Sequence, residues 1–153
     1  LQPRPAIRSP RRHLYWDALD FIYFGGYATW NYLVTPFLFL TDGFHFEKLA
    51  PLPSAPEYPL RLQVSFPDNL PTHCKKQIFY FDRNNLLRRL DYTAEVVNRW
   101  ARASHLCESY RNFDGFNIPT KRRVRPLLVG DQPMSGPTIV ALDIHDFRLL
   151  SSA

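Results

Sequence analysis

Only two cysteines, Cys74 and Cys107, occur in 153 residues. That is too few for a disulfide framework, which argues against a stapled secreted domain and favours a cytoplasmic setting, although one bridge stays open. Glycine is scarce, with six residues. No glycine-rich loop is available to cradle a phosphate: Gly25-Gly26 falls inside a helical pattern and lacks the third glycine of a dinucleotide fingerprint, so no cofactor is expected. A nucleophile elbow is also missing. His73-Cys74, His105 with Cys107, and Asp143 with His145 do not have the spacing of a specific metal site, and no metal is expected. Paired-cysteine zinc spacings, stacking motifs and a basic recognition helix are all absent, which argues against nucleic acid despite a net charge of +5. The chain has no initiator Met, signal peptide or C-terminal lipid signal, and is expected to be trimmed from something longer.

What the sequence does have is aromatic side chains: twelve Phe, eight Tyr and three Trp, in a chain that is 45% hydrophobic. This suits one domain with a core of ordinary size, with enough rings either to close that core or to line an apolar pocket. Residues 1–13, with three prolines and four arginines, are expected to form an extended basic lead-in. The domain is expected over 14–151.

From Phe21 to Leu40 there is no charge, and Leu19, Tyr23, Tyr27, Trp30 and Val34 recur at helical steps. A helix is predicted from Trp16 or Asp17 to Val34–Thr35, with Asp17 and Asp20 at the positive end of its dipole and Pro36 ending it. Because Phe21, Ala28 and Tyr32 on the other side are scarcely more polar, the helix should be buried nearly all round. Gly25-Gly26 would then mark a close approach. A membrane span is disfavoured, since Asn31, Thr29, Thr35, the glycine pair and Pro36 interrupt the run.

The rest alternates with period two. Strands are predicted at Phe44–Leu49, Leu60–Phe66, Gln77–Phe81, Leu86–Glu95, 102–112, 116–125 and Thr138–Leu149, separated by turns and by the Pro-rich loop 50–59. The fold class is α+β: a curved antiparallel sheet of about six to seven strands, a half-barrel wrapped around one long N-terminal apolar helix.

Alternation assigns side chains to faces. Phe79, Arg88, Tyr92, His105, Arg122, Asp143, His145 and Phe147 fall on the face toward the helix. Arg89, Asp91, Glu108, Lys121 and Arg123 fall on a face that should be solvated, although Val140, Leu142 and Ile144 also land there, which leaves the last strand either bulged or covered on both faces. Two explanations fit the ionisable groups on the inner face. In one, Arg122 and Asp143 form a buried ion pair and His105 is a core histidine against Tyr92. In the other they floor an apolar cavity.

The second explanation leads to a functional expectation: a cofactor-free enzyme performing proton transfer (a cyclisation, isomerisation or dehydration) on a hydrophobic small molecule in a cleft between helix and sheet. His105, Asp143, His145 and Arg122 are its candidate catalytic residues. Tyr23, Tyr27, Trp30, Phe79, Arg88, Tyr92 and Phe147 are its candidate substrate-binding residues. The alternative is a non-catalytic carrier for lipid or another apolar ligand.

The segments FIYFGGYATWNYLVTPFLF, FYFDRNNLLRRLDYTAEV, ASHLCESYRNFDGFNIPTKRRVRP and IVALDIHDFRL resemble an uncharacterised family of bacterial and fungal proteins, over most of the chain from Phe21 to Leu149. The resemblance covers Tyr27, Trp30, Pro36, Asp91, Tyr92, His105, Pro119, Arg122, Arg123 and Val124 and implies no role for any of them. Such proteins are similar in outline to lipoprotein-carrier half-barrels. The likeness implies further strands ahead of the helix, so an open sheet edge here would be covered by a missing segment or a partner chain.

Overall fold

The computed structural model describes residues 14–148 together with Pro10 and Leu150. The lead-in 1–13, apart from Pro10, therefore lies outside the described residues, as does Leu149, the predicted end of the last strand. Helix α1, Ala18–Val34, starts at a reciprocal capping box. The Asp17 carboxylate accepts the Asp20 N–H at 2.9 Å, and the Asp20 carboxylate accepts the Asp17 N–H at 3.1 Å. Each aspartate thus satisfies a backbone donor that the first helical turn leaves without a partner. At the other end the Thr35 N–H bonds to the Asn31 carbonyl at 3.0 Å, and a cis Thr35–Pro36 peptide follows.

α1 is 17 residues long and is not buried all round, contrary to expectation. Its buried residues are Asp20, Ala28, Asn31 and Tyr32, while Leu19, Phe21, Ile22 and Trp30 are exposed. Hydropathy alone could not locate the inward stripe because the helix carries aromatic residues on every side. The glycine pair marks no close approach either. A Cβ built at Gly25 or Gly26 would meet nothing within 4 Å. Gly25→Ala and Gly26→Ala should therefore each stabilise the fold by up to about 1 kcal/mol, measurable as a raised urea midpoint at constant slope.

A single turn of 3₁₀ helix, Phe37–Leu40, leads into seven strands: β1 His45–Leu49, β2 Leu60–Ser65, β3 Lys76–Phe81, β4 Leu87–Thr93, β5 Arg102–Phe113, β6 Phe116–Pro126 and β7 Val140–Asp143. They form one open antiparallel meander in chain order, with β1 and β7 at its edges. The core lies between this sheet and α1 with its 3₁₀ extension. Val64, Phe66, Phe79, Leu90, Tyr92, Cys107 and Val124 are buried there, and the Phe39 ring packs edge-on against Phe79 at 4.9 Å and Phe44 at 5.4 Å.

Three expectations about the faces are overturned. First, β7 pairs Val124 with Val140, Arg122 with Leu142 and Lys121 with Asp143. The strand is thus one residue out of step with the predicted register, and a one-residue slip moves every side chain to the opposite face. Val140 and Leu142 share the face of Val124 and Arg122, and Asp143 lies on the other side. Second, a bulge sets Phe81 opposite Leu87 but Tyr80 opposite Arg89. The extra residue, Arg88, leaves the alternation, pairs with Asp82 at 2.6 Å and lies over the Tyr110 ring. Third, the face expected to be solvated is covered. Arg61, Tyr80, Arg89, Asp91 and Ser104 are all buried on it. The loop carrying Ala50, Ala55 and Tyr58 closes over it, as does the loop carrying Asp131.

Candidate functional site

The polar interior is assembled around Tyr32, whose position on the inward stripe of α1 points it at the sheet. Its hydroxyl is hydrogen-bonded to His73 Nε2 at 2.9 Å and to Tyr92 Oη at 2.8 Å. His73, on the loop before β3, is also bonded through Nδ1 to the Tyr27 hydroxyl at 3.3 Å and stacks on the Tyr92 ring at 4.3 Å. Burial depresses the His73 pKa to about 3, so the ring is neutral at physiological pH. One of its nitrogens then donates and the other accepts, which fixes opposite hydrogen-bond roles for Tyr27 and Tyr32. Burial also raises Tyr32 to about 12.

His105, on β5, meets the Tyr32 ring edge-on at 4.2 Å. It is 1% exposed, and neither ring nitrogen has a hydrogen-bond partner. Burial, together with the neighbouring positive charge of Arg122, holds its pKa well below the usual histidine range. Arg122, directly opposite Cys107 across the β5–β6 ladder, is 2% exposed. Its Nη1 donates to Cys107 Sγ at 3.3 Å, and its Nε has no partner. No carboxylate among the described residues forms an ion pair with it. The expected Arg122–Asp143 pair does not form: Asp143 accepts two hydrogen bonds from Arg123 Nη2, at 2.8 and 3.0 Å, on the opposite face.

Three spaces adjoin this cluster. A small, partly open cavity of about 10 Å³ lies under α1, bordered by Asn31, Tyr32, Phe79 and Arg122, with room for roughly one water molecule. A groove of about 270 Å³ at one side shares Phe66, Thr72 and His73 with it and is flanked by Tyr23 and Tyr27. A second groove, of about 290 Å³, lies past the C-terminal end of α1 and shares Thr35 and Arg122 with the cavity. Leu33, Phe37, Leu87, Phe116 and Ile118 line it.

Comparison with protein-family models, curated proteins and solved structures finds no match. The resemblance set out above therefore gives no residue a role, and the site stands on its own chemistry.

Of the residues predicted for the site, the structure gathers Tyr23, Tyr27, Phe79, Tyr92, His105 and Arg122. It leaves the other five outside. Trp30 is on the exposed side of α1, Arg88 is at the bulge, and Asp143 is paired with Arg123. His145 and Phe147 follow β7, His145 exposed and Phe147 packed on Phe113 at 6.1 Å. Sequence reasoning also missed His73 and Tyr32 as a bonded pair, because 41 residues separate them. The only available signal was that Tyr32 stands one helical turn from Ala28 on the stripe that buries.

The two cysteines are free thiols, both buried; burial pushes Cys107 up to about 11, which makes it a poor nucleophile. Among the described residues there is no cluster of His, Cys, Asp and Glu that could hold a metal ion, and no helix long and apolar enough to cross a membrane.

Proposed function

We propose that this protein binds an apolar small molecule at the junction of α1 with the sheet, in the groove past the end of the helix. The observation that carries the reading is the groove itself: about 290 Å³, close to the lower end of ligand-pocket sizes of roughly 300–1,000 Å³, walled by Leu33, Phe37, Phe116 and Ile118 with a charged group at its base. On this reading the sheet bends around α1 as a half-barrel whose mouth is the junction, and the protein is a carrier or binding protein.

The test is titration with N-phenyl-1-naphthylamine, a neutral dye that brightens in apolar surroundings. Saturable brightening is expected for the wild type, with affinity at least tenfold weaker in Phe37→Arg at unchanged far-UV circular dichroism. A dye response that does not saturate, or that Phe37→Arg leaves alone, overturns the reading.

A second, catalytic reading is supported by the bonded series Tyr27–His73–Tyr32–Tyr92 beside the 270 Å³ groove, where a neutral histidine between phenols could relay a proton. It moves the proton-transfer role from His105, Asp143 and His145 to His73. A compound extracted from the purified protein would then be converted on re-incubation, and His73→Gln would slow that conversion at least tenfold. A compound recovered unchanged sinks this second reading.

A further inference from the structure

Arg122 is chemically incomplete as it stands. A guanidinium has five N–H donors and a charge that burial makes costly unless an anion sits beside it. At 2% exposure Arg122 has a single hydrogen-bond acceptor, the Cys107 sulfur at 3.3 Å, and its Nε has none. Other buried polar atoms around it are also unsatisfied: both nitrogens of His105, and Asn31 Oδ1, which borders the same cavity. The other two buried arginines among the described residues are handled differently: Arg61 donates to the Ala50 carbonyl at 2.8 Å and lies 5.1 Å from the centre of the Tyr80 ring, with its Nε unpartnered. Arg89 is forked onto Asp91 through Nε at 2.8 Å and Nη2 at 2.6 Å. What distinguishes Arg122 is its position, since with Thr35 it lines both the small cavity and the apolar groove.

We infer that the molecule bound in the groove is an apolar carboxylate, its head group forked onto Arg122 at the groove's inner end and its hydrocarbon body lying along Leu33, Phe37 and Phe116. The inference rests on the proposed binding of an apolar molecule and adds the chemistry of the head group. A planar carboxylate matches the guanidinium fork. A tetrahedral phosphate is bulkier, and the small cavity that Arg122 also lines holds only about one water. A neutral alcohol or ester leaves the charge uncompensated. Removal of the ligand exposes a buried cation with no partner of its own, so the head group contributes to both affinity and fold stability.

The experiment displaces N-phenyl-1-naphthylamine from the full chain with dodecanoate, dodecanol, methyl dodecanoate and dodecyl phosphate, each below its micelle concentration. Dodecanoate is expected to compete at least tenfold better than the alcohol and the ester, and better than the phosphate. In Arg122→Met the acid-to-alcohol ratio should fall to about one, and in Arg122→Lys it should lie between, because a lysine supplies charge without the fork. Equal competition by acid, alcohol and ester overturns the carboxylate inference and leaves apolar binding standing. Better competition by the phosphate overturns the choice of carboxylate. A preference for acid that survives in Arg122→Met shows that the anion sits elsewhere and also overturns the inference. If none of the four displaces a bound dye, the inference fails; if the dye itself does not bind, the underlying reading fails. Should Arg122→Met not fold, the wild-type series still decides.

Discussion

Acidification should begin to destabilise this protein well above the range in which carboxylates titrate. His73 and His105 are both buried and held neutral, His73 with its pKa lowered to about 3 and His105 well below its usual range. In the unfolded chain each would titrate near 6.5. Below that pH the unfolded state takes up protons that the folded state refuses, so stability is complete above about 6.5 and falls as pH drops toward the folded values. Each histidine contributes a slope of at most about 1.4 kcal/mol per pH unit, and His73 alone amounts to roughly 4–5 kcal/mol across its window. That is comparable to the whole stability of many domains.

Urea midpoints between pH 7 and 5 will measure the slope. His105→Leu separates the two histidines. Its ring nitrogens have no hydrogen-bond partner, so the change should be near neutral at pH 7 while roughly halving the slope below pH 6. A stability independent of pH from 7 to 5, or an unchanged slope in the variant, contradicts the assignment of two buried neutral histidines.

Asp91→Ala should destabilise the fold by about 3–5 kcal/mol, the usual consequence of leaving a buried charge without its partner. Asp91 is 5% exposed and accepts three hydrogen bonds: Arg89 Nε and Nη2 at 2.8 and 2.6 Å, and the Tyr80 hydroxyl at 2.8 Å. Tyr80 is itself fully buried, with the Arg61 guanidinium at 5.1 Å and that of Arg89 at 4.5 Å from its ring centre. Removing the carboxylate leaves two cations against one ring with no anion among them, and a phenol donor with no acceptor. The double variant Asp91→Leu with Arg89→Met should recover much of the loss, because an apolar pair of similar volume has no charge to desolvate. A single variant within about 1 kcal/mol of wild type would mean that this face is wetter than its burial indicates.

Much of the architecture could be read from residue order. Period-two runs between Gly, Pro, Asn and Asp turns mark all seven strands, and antiparallel neighbours follow from short connections. Asp17 and Asp20 mark the start of α1, and Pro36 its end. Six residues near the functional centre, Tyr23, Tyr27, Phe79, Tyr92, His105 and Arg122, were also reachable, since each lies where strand alternation or helical periodicity faces the core. Asp143 was not. A short last strand preceded by a loop has no turn that fixes its register, and a shift of one residue exchanged Asp143 for Leu142 opposite Arg122. The loss of that partner is what turns Arg122 from half of an ion pair into a candidate anion site.

The sequence by itself determined the α+β class, the meander and its order, because these depend on local periodicity and turn chemistry. Only the tertiary structure decided which stripe of α1 is buried, that loops from 50–59 and around Asp131 cover the charged face, and that His73 joins Tyr27, Tyr32 and Tyr92. Those outcomes depend on tertiary contacts between segments from 11 residues apart, for Arg61 with Ala50, to 60 apart, for Tyr32 with Tyr92. Pairings of that kind leave no trace in a local pattern, since an arginine or a histidine on a strand reads the same whether water, a loop or a ligand lies above it.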